Sequence, residues 1–314
     1  MSIDVRSNVR TQNPLPRQEN TAAPASRPVA AQTPRPAADL FEVPVQARAR
    51  AAAAPAATQG VAARSGGAAD DRQFDGALIG GDGRAYPAGT PLSEVPAFTP
   101  APGTPPRPEA GRTFIYVNGI NTDKAGQEQT MQLLANATGG RVVGIHNATS
   151  GSIRDLIQAA GDKLDKGSNP AVDSLAGTVY SELRAGREVN LIGHSQGALI
   201  TSRALEHVRN RLMAEDGMTR QQAEALLGNV RVETYGGAAA SYPDGPQYVH
   251  TMNRSDPVSG YTGLDRRDAN PGRGAVVRHF DTNHWFNKVA AHSINDTYVP
   301  RRMPFDQARA AGSN

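Results

Sequence analysis

The chain has 314 residues, and its formal charge of +3 comes from 33 Lys and Arg against 30 Asp and Glu. Hydrophobic residues make up only 38% and aromatic residues 5%, beside 32 Gly and 23 Pro, so part of the chain lacks the apolar surface to build a core. The small, scattered charge falls short of a nucleic-acid surface, and the lack of cysteine excludes disulfides, Cys-ligated zinc and a thiol nucleophile.

Lysine occurs only at Lys124, Lys163, Lys166 and Lys288, so the basic charge is almost all arginine and forms no polybasic cluster. No apolar run is long enough for a transmembrane helix. The opening MSIDVRSNVRTQNPLPRQEN has no apolar core of the kind a Sec signal peptide carries. The expectation is a protein that stays in the cytoplasm or leaves it by a specialised secretion system.

Residues 1–75 read as a disordered tail. Stretches such as TAAPASRPVAAQTPRPAADL and ARARAAAAPAATQG bury too little surface to offset the entropy of ordering them. A disordered tail before a folded domain resembles bacterial effectors exported by specialised secretion systems, which implies secretion machinery or a chaperone as partner. Residues 76–111 form a Pro- and Gly-rich lead. It is expected to lie partly docked on the domain surface, without regular structure, through anchors such as Leu78, Ile79, Tyr86, Leu92, Val95 and Phe98.

A folded domain is expected over 112–303, followed by a flexible C-terminus over 304–314. Thr113 to Val117 is a short apolar run closed by Asn118-Gly119, which reads as a buried strand and a turn. Helical spacing follows over 126–137, a second strand over 141–145, and a helix over 153–164. Pro170 opens a further helix reaching about Ala185, proline being favoured in a first turn. Val189 to Ile192 is a third strand. Helices follow over 198–213 and 219–227, the latter capped by Thr219. The remaining strands are 230–235, 247–252 and 275–279. Strands alternating with helices predict an α/β fold: a mostly parallel sheet covered by helices on both faces. There is no internal repeat.

The third strand runs into Gly193-His194-Ser195-Gln196-Gly197, and a helix-forming run follows at once. A serine nucleophile needs this strand–turn–helix setting, because a tight, strained turn lifts its hydroxyl above the sheet edge. Gly193 and Gly197 let neighbouring backbone approach closely. The pentapeptide, in this context, resembles the nucleophile elbow of the lipase and esterase branch of the α/β-hydrolase superfamily, over roughly residues 112–298. The resemblance implies an α/β-hydrolase-like sheet, a Ser–Asp–His order along the chain and no cofactor or metal.

Asp256, in Asn253-Arg254-Ser255-Asp256-Pro257-Val258 after a strand, is similar to the acid of lipase-like enzymes; Asp265, Asp268 and Asp281 are its rivals. His292 lies in His292-Ser293-Ile294-Asn295-Asp296-Thr297-Tyr298, which resembles the region of the catalytic histidine near the end of such domains. His284 is the alternative base, and His279 is a third candidate. His194, inside the elbow, is expected to point away from the serine hydroxyl and to pack or hydrogen-bond. His146, His207 and His250 read as structural.

Two backbone N–H groups are needed where negative charge develops. One is expected from Gln196, the other from Gly119 or Ile120 in the loop after the first core strand. Asn118 or Asn121 is placed to hydrogen-bond the elbow. The Gly-rich stretch 258–274 is expected to border the site, with Tyr261, Leu264, Trp285 and Phe286 as acyl-pocket candidates. The resulting expectation is a serine hydrolase of carboxylic esters acting on an ester or lipid substrate through an acyl-enzyme. The alternatives are an acyltransferase or thioesterase, or a non-catalytic interaction protein on a degenerate hydrolase fold.

Overall fold

The computed structural model describes residues 70–151, 169–282 and 287–312. The tail over 1–69, the expected helix over 153–164, and His284, Trp285 and Phe286 lie outside them. All described residues fall in one unit, Ala54–Asn314.

Eight strands and seven α-helices alternate along the described chain: β1 (Leu78–Ile79), β2 (Ala85–Tyr86), β3 (Thr113–Val117), α1 (Lys124–Thr138), β4 (Arg141–Ile145), α2 (Pro170–Arg184), β5 (Val189–His194), α3 (Gln196–Ala214), α4 (Arg220–Leu227), β6 (Val230–Tyr235), β7 (Gln247–Asn253), α5 (Pro257–Tyr261), β8 (Val276–Phe280), α6 (Lys288–His292) and α7 (Phe305–Gly312). Their order in the single sheet is β2-β1-β4-β3-β5-β6-β7-β8. Every pair from β4 to β8 is parallel, and only β1 and β2 run against their neighbours. The α/β class expected from the alternation of strands and helices is therefore the class observed.

Local chemistry fixes the helix ends. The Asp123 side chain accepts from Gly126 N at the start of α1, and Gly139 closes it in the left-handed region at φ 74. Asn169 caps α2 ahead of Pro170. Thr219 and Gln222 form a reciprocal capping box on α4.

Alternate residues of β3 face opposite sides of the sheet, as the period of a strand requires. Ile115 and Val117 join Val143, Ile145 and the apolar faces of α2 and α3 in one core. Phe114 and Tyr116 join Met131 and Leu134 of α1, with Ile192, Tyr235, Ile294 and Tyr298, in the other. The sheet is thus buried on both faces, which is why its central strands read as continuous apolar runs.

Two expectations are corrected. The lead is not free of regular structure: Leu78 and Ile79 pair with Ile145 and Gly144 and extend the sheet beyond β4. Both side chains are fully buried, and that burial offsets the entropy of ordering a short edge. Within the C-terminal stretch expected to be flexible, the described residues carry regular structure. Residues 305–312 form α7, anchored by buried Phe305 and Ala308 against Val249 and Val276.

Candidate active site

The segments named from the sequence leave the carboxyl ends of parallel strands of one sheet, where open α/β sheets build their sites. β3 leads to Asn118 and Gly119, β5 to Ser195, and β7 to Asp256. Ser195 is the one-residue hinge between β5 and α3, at φ 55 and ψ −121. A side chain is disfavoured there and persists only where surrounding contacts over-determine it. The Ser195 backbone N–H donates to Tyr235 O (3.1 Å), and its carbonyl accepts from Ala198 N (3.1 Å) and Ala238 N (3.0 Å).

The flanking glycines are required sterically. A Cβ on Gly197 would collide with the backbone of Val117 and Asn118, and one on Gly193 would lie 2.8 Å from Ala198 Cα. The elbow therefore sits directly over β3.

His292 and Asp256 meet. His292 Nδ1 lies 2.7 Å from Asp256 Oδ2. A carboxylate only accepts, so Nδ1 carries the proton and Nε2 presents its lone pair. Asp256 is itself held: Oδ1 accepts from Val258 N (2.9 Å) at the start of α5, and Oδ2 also accepts from the Tyr298 hydroxyl (2.6 Å). Ser195, His292 and Asp256 are all buried. Among the described residues, Ser195 Oγ and His292 Nε2 are buried atoms with no hydrogen-bond partner. An unsatisfied buried polar atom needs an explanation, and a catalytic role is one; seven other such atoms among the described residues lie outside this cluster.

His194 touches His292. Its ring lies 4.7 Å from that of His292, tilted by 35°, and its Nε2–H donates to the His292 carbonyl (2.9 Å). Burial, with His292 beside it, pushes the His194 pKa down to about 3. It is a neutral brace for the backbone and ring of His292 at neutral pH.

The loop after β3 is stitched to the elbow. Asn118 Nδ2 donates to Gly119 O (3.0 Å) and Asn147 O (2.8 Å), and Asn147 N donates back to Asn118 Oδ1 (2.9 Å). Asn147 Nδ2 then donates to the Gln196 side-chain oxygen (2.8 Å). Gly119 abuts Ser195, since a Cβ there would stand 2.9 Å from Ser195 Cβ. Ile120 packs with Ala238 and Val258. Asn118 thus reaches the elbow through Asn147, whereas Asn121 instead exchanges hydrogen bonds with Gly151.

The rival residues have other partners. Asp265 Oδ1 lies 2.8 Å from His279 Nε2, Asp268 pairs with Arg266, and Asp281 accepts from the Ser255 hydroxyl (2.9 Å). Leu264 packs against the larger core, and Tyr261 is exposed at the end of α5. His146 bonds Gln127 Oε1 through Nδ1 and is lowered in pKa by burial. His250 bridges Thr234 and Pro271 and is pushed down to about 4 by burial. Among the described residues no group of three or more His, Asp or Glu converges as a metal site, and no helix is long and apolar enough to cross a membrane.

Two members of the cluster have no role in the sequence reading. Asn147 has little signal beyond its place just past a strand end. Tyr298 stands six residues after His292, in the segment that carried the resemblance, but nothing in the sequence ties its hydroxyl to Asp256.

No protein-family model and no curated protein sequence matches the chain. Solved structures to which it is similar include a Pyrobaculum calidifontis esterase in a monoclinic form, at 10% identity and a TM-score of 0.36, covering 67% of this chain and 77% of that one. RedJ, with a PEG molecule bound in its active site, matches at 15% identity and a TM-score of 0.31, covering 67% of this chain and 92% of that one. A dienelactone hydrolase-like promiscuous phosphotriesterase, P91 from metagenomic libraries, matches at 16% identity and a TM-score of 0.32, covering 67% and 85%.

Proposed function

We propose that the protein is a serine hydrolase that cleaves carboxylic esters through Ser195, His292 and Asp256. The observation that carries this reading is the buried His292–Asp256 pair, joined by a 2.7 Å Nδ1–carboxylate bond, together with a strained, buried serine one residue beyond His194, whose ring lies 4.7 Å from that of His292.

In the proposed reaction Ser195 Oγ attacks the ester carbonyl carbon and His292 Nε2 takes the hydroxyl proton. Asp256 stabilises the imidazolium that forms. Negative charge on the carbonyl oxygen is met by the backbone N–H of Gln196 and by that of Gly119 or Ile120. The tetrahedral adduct expels the alcohol, which leaves with the proton from His292, and Ser195 keeps the acyl group. A water molecule then attacks the acyl carbon, gives its proton to His292, and the acid is released as Ser195 recovers its hydrogen.

Hydrolysis of a series of aryl esters and phospholipids of increasing chain length tests the reading, with Ser195→Ala as control. Turnover is expected in the wild type and is expected to drop at least about 10³-fold in Ser195→Ala, as for loss of a triad nucleophile. Turnover that survives in Ser195→Ala contradicts it. Adding an alcohol or thiol acceptor to the same assay separates hydrolysis from acyl transfer.

A further inference from the structure

We propose that Tyr298 is a positioning residue for His292. Its hydroxyl donates to Oδ2 of Asp256, the same oxygen that holds the imidazole, and thereby sets how strongly the carboxylate supports a protonated His292. The inference rests on the Ser195–His292–Asp256 reading for its catalytic consequence, but the geometry stands by itself.

Oδ2 receives two short hydrogen bonds, from Tyr298 Oη at 2.6 Å and His292 Nδ1 at 2.7 Å. Two donors therefore share the charge of one oxygen. The hydroxyl has a complete set of partners: it donates to Asp256 and accepts from the backbone N–H of Asn253 (3.3 Å). The ring is wedged among Tyr235, Phe280 and His194, at centroid separations of 5.9, 5.5 and 6.2 Å. Gly236, at φ 52, makes room, because a Cβ there would stand 2.6 Å from Asp256 Oδ2 and 2.8 Å from Tyr298 Oη.

The backbone aims this hydroxyl back at the pair. Residues Ile294–Tyr298 form one π-helical turn, in which Tyr298 N donates to Ser293 O (3.3 Å). A widened turn of this kind recurs at functional sites. Thr130 of α1 holds the turn through Asn295 (2.9 Å). Burial, with the Asp256 charge beside it, drives the Tyr298 phenol well above its ordinary range, so it remains a donor wherever the protein is folded.

The sign of the effect follows from charge. An ionised Asp256 favours the imidazolium, and each donor on Oδ2 reduces the charge available to it. Other groups around the cluster are His194 from β5, Tyr235 from β6, Lys288 from α6, which reaches Ser255 O, Asp281 at the Ser255 hydroxyl, and Asp265, whose charge acts on Tyr298. His194 and Tyr235 direct their donors elsewhere, to the His292 carbonyl and to Glu233. Removing the phenol hydroxyl leaves more charge on Oδ2 and makes His292 more basic. A catalytic base must be neutral to accept a proton, so the acid limb of kcat/KM then moves to higher pH.

The test follows the His292 imidazole by NMR titration, alongside pH profiles of kcat/KM, in the full chain with wild-type sequence, Tyr298→Phe, Asp256→Asn and the double variant. In Tyr298→Phe, titration and acid limb are expected to move upward together by about 0.5–1 unit, as loss of one hydrogen bond of ~1 kcal/mol implies. kcat falls a few-fold while KM holds. In the Asp256→Asn background, Tyr298→Phe produces no further movement. A ring-fluorinated tyrosine at position 298, a stronger donor of the same shape, moves the titration to lower pH and keeps the test open if Tyr298→Phe folds poorly. An imidazole that titrates at the wild-type pH in both altered proteins, or one that shifts equally without Asp256, overturns the proposal. If activity proves independent of Ser195, the functional reading fails, yet the NMR titration still decides the role of Tyr298.

Discussion

A serine at φ 55 and ψ −121 lies where a Cβ is disfavoured, and backbone bonds from Tyr235, Ala198 and Ala238 hold it there. This cost has a measurable counterpart. Ser195→Gly is expected to raise thermal stability, by about 1 kcal/mol, because glycine adopts that conformation freely. It is also expected to abolish ester hydrolysis; thermal unfolding read beside activity checks both, and a destabilised Ser195→Gly would contradict the strain. Asn147 gives a second prediction at this scale. Its side-chain Nδ2 donates to Gln196 Oε1 (2.8 Å) and to Asn118 O (3.4 Å), so Asn147→Ala loosens the segments that carry both proposed oxyanion donors without touching Ser195. kcat should fall about 10–100-fold with little change in KM, since the oxyanion contact forms in the transition state. An equal loss through KM alone would argue against that placement. In the sequence, Ser195 was legible because steric demand writes glycines on both sides of it. Asn147 was not, because its partners lie 29 and 49 residues away and no local pattern encodes them.

Between the elements, the segment behind His292 is anchored by a buried ion cluster. Arg302 donates through Nε and one terminal nitrogen to both oxygens of Glu233 on β6 (2.9 and 2.6 Å), and through the other to Glu109 (2.6 Å). Tyr235 Oη also donates to Glu233, and Phe305 N donates to the second oxygen of Glu109. Arg302 and Glu109 are each 2% exposed, so the charges have no water to fall back on. The cluster therefore ties the lead, β6 and the start of α7 together behind Tyr298. Arg302→Met leaves Glu233 buried without its cation and Glu109 with only Arg112 at 3.7 Å, and should cost about 3–5 kcal/mol. Chemical denaturation measures it; a loss below about 1 kcal/mol would show that the cluster does not hold this segment. Long strands and capped helices were legible here: β3, β4 and β6 coincide with their apolar runs, and Thr219 caps α4 as its spacing suggests. β1 was not, because two residues carry no period and its partner β4 lies more than 60 positions on. α7 was missed because its buried face is only Phe305 and Ala308, one turn apart, and its anchor is a long-range contact with β7 and β8.

Across the whole molecule, three buried histidines make the fold sensitive to acid. Burial lowers His146 and His250, and burial with His292 lowers His194; His250 falls to about 4 and His194 to about 3. In the unfolded chain each titrates near 6.5. Between that value and the folded one the unfolded state binds more protons, so stability rises with pH across the window and is lost as pH falls. Each histidine adds a slope of up to about 1.4 kcal/mol per pH unit. The melting temperature should be level above pH 7 and fall steeply from about pH 6.5 towards pH 4. His250→Gln should flatten that fall, and an unchanged slope would remove His250 from the account. The same parallel sheet that buries these rings also brings β3, β5 and β7 to one edge, where Asn118, Ser195 and Asp256 begin their loops. The most direct measurement of the central claim is therefore covalent. Reaction with a fluorophosphonate, followed by peptide mass spectrometry, should place one adduct on Ser195, lost in Ser195→Ala and slowed by orders of magnitude in His292→Ala. An adduct on another residue, or a Ser195 that stays unmodified in folded protein, would contradict it.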